Sequence, residues 1–123
     1  MTNKEIVLRF YDEVFNGWDL DRIDAYVREN YVQHNPTVKD GREGFREFMQ
    51  FFTGMKPRCE VIRCDEVGDM VYVFFRCTLE NGVVNKVMDM YRLEDGMLAE
   101  HWDVVEHDVA EKIAGAVNDN GIF

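Results

Sequence analysis

The chain has 123 residues, 46% hydrophobic and 31% charged, which is the composition of one folded domain rather than a linker or a disordered tail. Lys and Arg number 14 against 24 Asp and Glu, a net charge of −10, and the longest basic cluster is a scattered Lys56, Arg58 and Arg63. Nucleic acid and anionic membranes are excluded as partners on that ground, since both are held by clustered cations. No apolar run approaches the ~18 residues that span a bilayer.

The opening residues read directly as an amphipathic helix with no secretory h-region. Thr2 and Glu5 form a capping box, and Ile6, Phe10 and Val14, with Val7 and Tyr11 beside them, make one apolar stripe. Asn16-Gly17 ends that helix, and Asp19 is expected to cap a second one carrying Leu20, Ile23, Tyr26 and Val27. After Asn30 the run Tyr31 to Pro36 is extended, because its proline disfavours helix before it. Asp40 and Glu43 start a third helix whose apolar face, Phe45, Phe48, Met49 and Phe52, reads as core.

The pattern then changes period. Residues 58–67, 69–80, 83–93 and 97–106 are rich in Val, Phe, Tyr and Met and are parted by turn residues. Asn81-Gly82 predicts a two-residue hairpin and Glu94-Asp95-Gly96 a three-residue one. Helices followed by an antiparallel meander give an α+β fold, with a curved sheet carrying helices on its concave face. The domain spans 1–123. The stretch 107–123 is either a frayed helix or an arm carrying an apolar Ile122-Phe123 tip to the pocket or to a second subunit. Cys59, Cys64 and Cys77 are odd in number and lack a CxxC spacing, which suits buried thiols in a reducing cytoplasm.

Hairpin register locates the ionisable groups. With Glu94-Asp95-Gly96 as the loop, Asp89 falls opposite His101 and Asp103 lies diagonal to it, all on the face of Val87, Tyr91, Ala99 and Val105. A two-residue turn slips the pairing by one and sets Asp89 opposite Trp102. The longer loop is preferred because it separates the ionisable cluster from Met88, Met90, Trp102 and Val104. The Asn81-Gly82 turn, treated likewise, brings Phe74 and Arg76 to the Asp89 side. A covered Asp/His face makes a pocket for acid–base work, and a bare Met/Trp face makes a homodimer interface.

The segments Tyr31-Val32-Gln33-His34-Asn35-Pro36, Asp40-Gly41, Asp89-Met90-Tyr91-Arg92, Asp95-Gly96 and Glu100-His101-Trp102-Asp103-Val104 resemble the SnoaL-like polyketide cyclase family. They are most similar to its branch predicted to catalyse aldol condensations, as is the Asn118 to Phe123 tail. The resemblance implies a cone-shaped α+β barrel with a central pocket, of the kind shared with nuclear transport factor two and ketosteroid isomerase. It implies ring closure or isomerisation of a small hydrophobic carbonyl compound without metal or organic cofactor. Asp103 matches the acid/base aspartate of such cyclases. In comparison with ketosteroid isomerase, Tyr11 matches the first-helix tyrosine and Asp89 the protonated strand aspartate, while Asn35 stands where the base precedes a proline. Base function therefore moves to Asp103 or His101.

The expected catalytic set is Asp103, His101 and Asp89, with His34, Asn35, Tyr11, Arg76 and Phe74 as substrate-binding residues. Six of these have a structural alternative: a mutually satisfied pair for Asp103 and His101, an ion pair with Arg76 or His101 for Asp89, a local turn for His34 and Asn35, and a core position for Tyr11. No metal site is expected, since His101 and His107, six residues apart on a strand, lie ~20 Å from each other if extended. The competing functional reading is a non-catalytic dimer of the same fold that holds a small molecule.

Overall fold

A computed structural model describes residues 1–123. Helix α1, Asn3–Phe10, starts as its sequence requires, with Thr2 Oγ1 accepting the Glu5 N–H at 3.1 Å. It continues into a π-helical turn, Tyr11–Asn16, a geometry frequent at functional sites. Ile6, Val7, Phe10, Tyr11, Val14 and Phe15 are buried along this combined element. Phe10 joins the layers: its ring meets Phe15, Tyr26, Phe45 and Tyr91 at centroid distances of 5.3, 5.6, 5.7 and 6.1 Å.

The second helix is shorter than its apolar pattern predicts. Asp19 makes no side-chain cap, and a 3-10 turn, Leu20–Arg22, leads to one α-turn, α2, Ile23–Tyr26. Val27, expected on that helix, instead begins strand β1, Val27–Gln33. Long-range pairing overrides the helical period here: β1 lies parallel to the last strand, with Gln33 beside His101.

Helix α3, Gly41–Thr53, follows Asp40, whose side chain leaves the helix uncapped and accepts the Gln33 N–H at 2.7 Å. Strands β2 (Arg58–Val67), β3 (Met70–Thr78), β4 (Val84–Glu94) and β5 (Met97–Glu106) complete one sheet, in the order β1-β5-β4-β3-β2. Only β1–β5 is parallel. The α+β expectation holds: a curved five-strand sheet carries the helices, and 22 buried residues between them form the core. No helix is long and apolar enough to cross a membrane.

Both hairpins differ from the sequence reading in loop length. At β4–β5 the loop is Asp95-Gly96 alone, with φ of +52° and +76°, the left-handed pair a two-residue type I′ turn needs. The slip of one from this turn is followed by a second at an irregularity between Arg92 and Leu93 that leaves Ala99 unpaired, so the facing is restored. Asp89 consequently faces Asp103, and Tyr91 faces His101. The partners change but the face is kept.

At β3–β4, Leu79 donates its N–H to Val83 O at 2.8 Å and Gly82 takes φ +88°, so the loop is Glu80-Asn81-Gly82. That one extra residue reverses the facing of β3. Phe74 pairs with Met88 and Arg76 with Lys86 on the outer face, while Val73, Phe75 and Cys77 turn inward. The pocket placement of Phe74 and Arg76 is therefore corrected.

The C-terminal stretch forms a short helix and then an arm, whose tip packs on this chain's own outer sheet face and not in the pocket. Val109 is fully buried and donates to Val84 O at 2.9 Å, and a short helix α4, Ala110–Ala114, follows. The chain then returns to the outer sheet face. There the Phe123 ring lies 6.1 Å from Phe74, with the Arg76 guanidinium 4.4 Å from its centroid.

Candidate active site

A cavity of about 380 Å³ opens between helix α3 and the concave face of the sheet, within the ~300–1,000 Å³ range of small-molecule sites. Its apolar wall comes from Phe15, Phe45, Phe48, Phe52, Phe75 and Val87. Phe48 and Phe52 are only half-buried, so the α3 stripe read as core is in part a cavity lining. The polar wall comes from the strands and the end of β1: Gln33, Asn35, Asp89, His101 and Asp103.

Asp89 is the deepest charged group, 4% exposed, and fully coordinated. Its Oδ2 accepts hydrogen bonds from the Tyr11 hydroxyl and, at 3.1 Å, from the Tyr91 hydroxyl, and the two phenols lie 2.9 Å apart. Burial first, and the Asp89 charge second, push both phenols well above the ordinary tyrosine range, so they act as neutral donors. Asp89 Oδ1 lies 2.9 Å from His101 Nε2.

The proton arrangement of His101 follows from Gln33. Gln33 Oε1 accepts the Asn35 N–H at 3.0 Å, which identifies that atom as oxygen, and it lies 2.6 Å from His101 Nδ1. Nδ1 must then carry a proton and donate it. Nε2 is left facing two carboxylates, Asp89 at 2.9 Å and Asp103 Oδ2 at 3.8 Å. One proton lies between Nε2 and Asp89 Oδ1.

Asp103 is the most open of the three, its side chain 15% exposed against 6% for Asp89 and 9% for His101. Its Oδ2 accepts from Asn35 Nδ2 at 2.8 Å, while Asn35 Oδ1 takes the Thr37 N–H and hydroxyl at 2.9 and 2.7 Å. Asn35 thus performs the expected turn chemistry and also positions a carboxylate. Donor atoms of Asp89, His101 and Asp103 lie within 4.8 Å of one another, so these are the residues that could hold a cation.

Three expected binding residues lie elsewhere. Phe74 and Arg76 are on the outer face. His34 is too, because Gln33 and Asn35 use the inward positions on either side of it: its Nε2 meets Glu100 at 2.6 Å and its ring stacks on Trp102 at 4.7 Å. Tyr11 is brought to the cluster but beneath it, bonded to Asp89 rather than lining the cavity.

A family model described as a SnoaL-like domain matches residues 7–101. The chain belongs to the SnoaL-like family. No curated protein matches it significantly. Among solved structures, a SnoaL-like polyketide cyclase from Agrobacterium tumefaciens superposes with a TM-score of 0.75 at 20% identity, covering 94% of this chain and 99% of that one. A proposed polyketide cyclase from Acidithiobacillus ferrooxidans gives 0.76 at 15% identity, with 85% and 87% covered. A proposed ketosteroid isomerase from Kribbella flavida gives 0.75 at 18%, with 85% and 77% covered. These likenesses carry the fold.

Sequence reasoning missed two polar members of this SnoaL-like site. Gln33 reaches His101 only because β1 pairs with β5, a contact with no local sequence signal. Tyr91 is on the expected face, and its hydroxyl reaches back along β4 to Asp89, two residues away, as a second phenol beside Tyr11. The Tyr31 hydroxyl is also beside the cluster, buried without a partner, its phenol raised by burial and by the charges of Asp89 and Asp103.

Proposed function

We propose that this SnoaL-like domain is a polyketide-cyclase-like enzyme that cyclises or isomerises a small hydrophobic carbonyl compound by acid–base catalysis. The observation that carries the reading is the imidazole of His101 set between two carboxylates at the wall of an aromatic cavity. Asp103, the more open carboxylate, removes the proton α to a substrate carbonyl. The resulting enolate carbon attacks a second carbonyl, and the new alkoxide takes the proton shared by His101 Nε2 and Asp89. Tyr11 and Tyr91 balance the charge left on Asp89. General acid–base assistance of this kind contributes ~10²–10⁴-fold.

Asp89 here supports His101 and does not meet the enolate itself, since both its oxygens already have partners. No step in this scheme needs a cofactor. The outer face supports a homodimer through Met88, Met90, Trp102 and Val104: Val104 is 65% exposed and the other three are half-exposed, an apolar patch beside strands of the sheet. The odd number of buried thiols supports a cytoplasmic setting.

The test is Asp103→Asn assayed against a panel of polyketone and diketone substrates turned over by the unaltered protein. We expect unchanged thermal unfolding and a fall in kcat of at least ~100-fold, the scale of one acid–base group. Unchanged turnover removes Asp103 from the role. A co-purified small molecule that is held intact by both proteins supports the non-catalytic binding reading instead.

A further inference from the structure

Cys59 and Cys77 face each other across β2 and β3, both on the concave side and both buried, 6% and 2% exposed. Hydrogen-bond directions define what kind of pair this is. The Cys59 N–H donates to Asn16 Oδ1 at 2.6 Å, and its carbonyl accepts from Asn16 Nδ2 at 2.9 Å. Both groups therefore point off the free edge of β2, away from β3. From the other strand, the Leu79 N–H points to Val83 on the β4 side. Cys77, two residues earlier, shares that direction. Cys59 and Cys77 are thus a pair with no backbone hydrogen bonds between them.

Such pairs bring Cα atoms to ~4.5 Å, inside the ~4.4–6.8 Å span of disulfides. Their Cβ atoms, ~4.5–5.5 Å apart in a sheet, must close to ~3.5–4.5 Å. Since β2 is an edge strand with β3 as its one strand neighbour, no second strand resists that approach. Cys77 lines the cavity, which gives a small reagent its route. The third cysteine, Cys64, is opposite Val73 and has no facing thiol.

We propose that Cys59 and Cys77 form a redox-active dithiol, which a hydroperoxide entering the cavity converts to a cross-strand disulfide. The Cys77 sulfur attacks one peroxide oxygen: an S–O bond forms, the O–O bond breaks, and the departing oxygen leaves as water or alcohol with the thiol proton. The Cys59 sulfur then attacks the sulfenic sulfur of Cys77. The S–S bond forms, the S–O bond breaks, and water leaves with the Cys59 proton. Two thiols are oxidised and one peroxide is reduced. The order of attack has a geometric cause: Cys77 lines the cavity and meets the peroxide first, whereas Cys59 does not reach the cavity wall.

The test treats the folded protein with hydrogen peroxide, quenches, denatures, and counts thiols with peptide mapping. Free thiols should fall from three to one, with a Cys59–Cys77 linked peptide lighter by two hydrogens and Cys64 left free. Dithiothreitol should restore all three. Cys64→Ser should lose both remaining thiols, and Cys59→Ala should give no linked peptide. Persistence of all three thiols, a linkage through Cys64, or oxidation of Cys77 without linkage overturns the proposal. Mapping the Cys64→Ser protein keeps the test decisive if Cys59→Ala does not fold.

Discussion

Two histidine–carboxylate pairs sit back to back across the sheet, each with one member on β5. His101 meets Asp89 at 2.9 Å on the concave face, and His34 meets Glu100 at 2.6 Å on the outer face. The chemical groups are the same, and the strand separates them by a single residue, Glu100 to His101. Their surroundings differ. The inner side chains are 9% and 6% exposed, the outer ones 42% and 20%. Outside, Arg92 also holds Glu100 at 3.0 Å, Trp102 stacks under the imidazole, and water screens what remains. Inside, the pair's remaining polar atoms are met by Gln33, Tyr11 and Tyr91. The outer pair reads as surface chemistry, whereas the inner one is held in a fixed, nearly dry arrangement.

The largest effect that separates them is expected from Asp89→Ala. Removing one member of a buried pair costs about 3–5 kcal/mol, and here it also strips the partner from two phenols. Urea unfolding measures it; a loss under ~1 kcal/mol would put the inner pair in the exposed class. Next comes Gln33→Leu, which leaves the His101 Nδ1–H unpartnered. We expect a loss of about 1–3 kcal/mol, and ¹⁵N spectra in which His101 no longer holds its proton at Nδ1. A ring still protonated there in the variant breaks the role given to Gln33.

The smallest effect belongs to the outer pair, through Glu100→Gln. The hydrogen bond from His34, and then Arg92, hold the Glu100 carboxyl below the usual range. A lowered folded-state value stabilises the protein above the unfolded pKa, ~4.3, and that contribution disappears as pH falls through the lowered value. Glu100→Gln should therefore be less stable than the unaltered protein at pH 7, by about 0–1 kcal/mol, with the gap closing in acid. A gap that widens on acidification reverses the assignment.

The inner cluster was legible in the sequence because strand alternation is a parity rule. One residue of shift at Asp95-Gly96 and a second at the irregularity between Arg92 and Leu93 changed the partners of Asp89 and Tyr91 but not their face, so Asp89, His101 and Asp103 stayed together. The same rule misplaced Phe74 and Arg76, since one added residue at Glu80-Asn81-Gly82 inverts a strand. Both loops contain a glycine that suits either length, so turn composition alone does not decide between them. β1 was hidden for another reason: a parallel edge strand has no hairpin of its own, and Val27 continues a helical spacing. With β1 unseen, neither Gln33 nor the outward turn of His34 had anything to reveal it.

The division of the cavity between helix and sheet has an evolutionary consequence. Under the proposed function, the rings of α3 and the π-helical turn shape much of the ligand space, while the acid–base groups are rooted in strands tied by backbone ladders. Phe48 and Phe52, the loosest of those rings, offer places where selection can enlarge or reshape the chamber while the chemistry beneath is inherited unaltered.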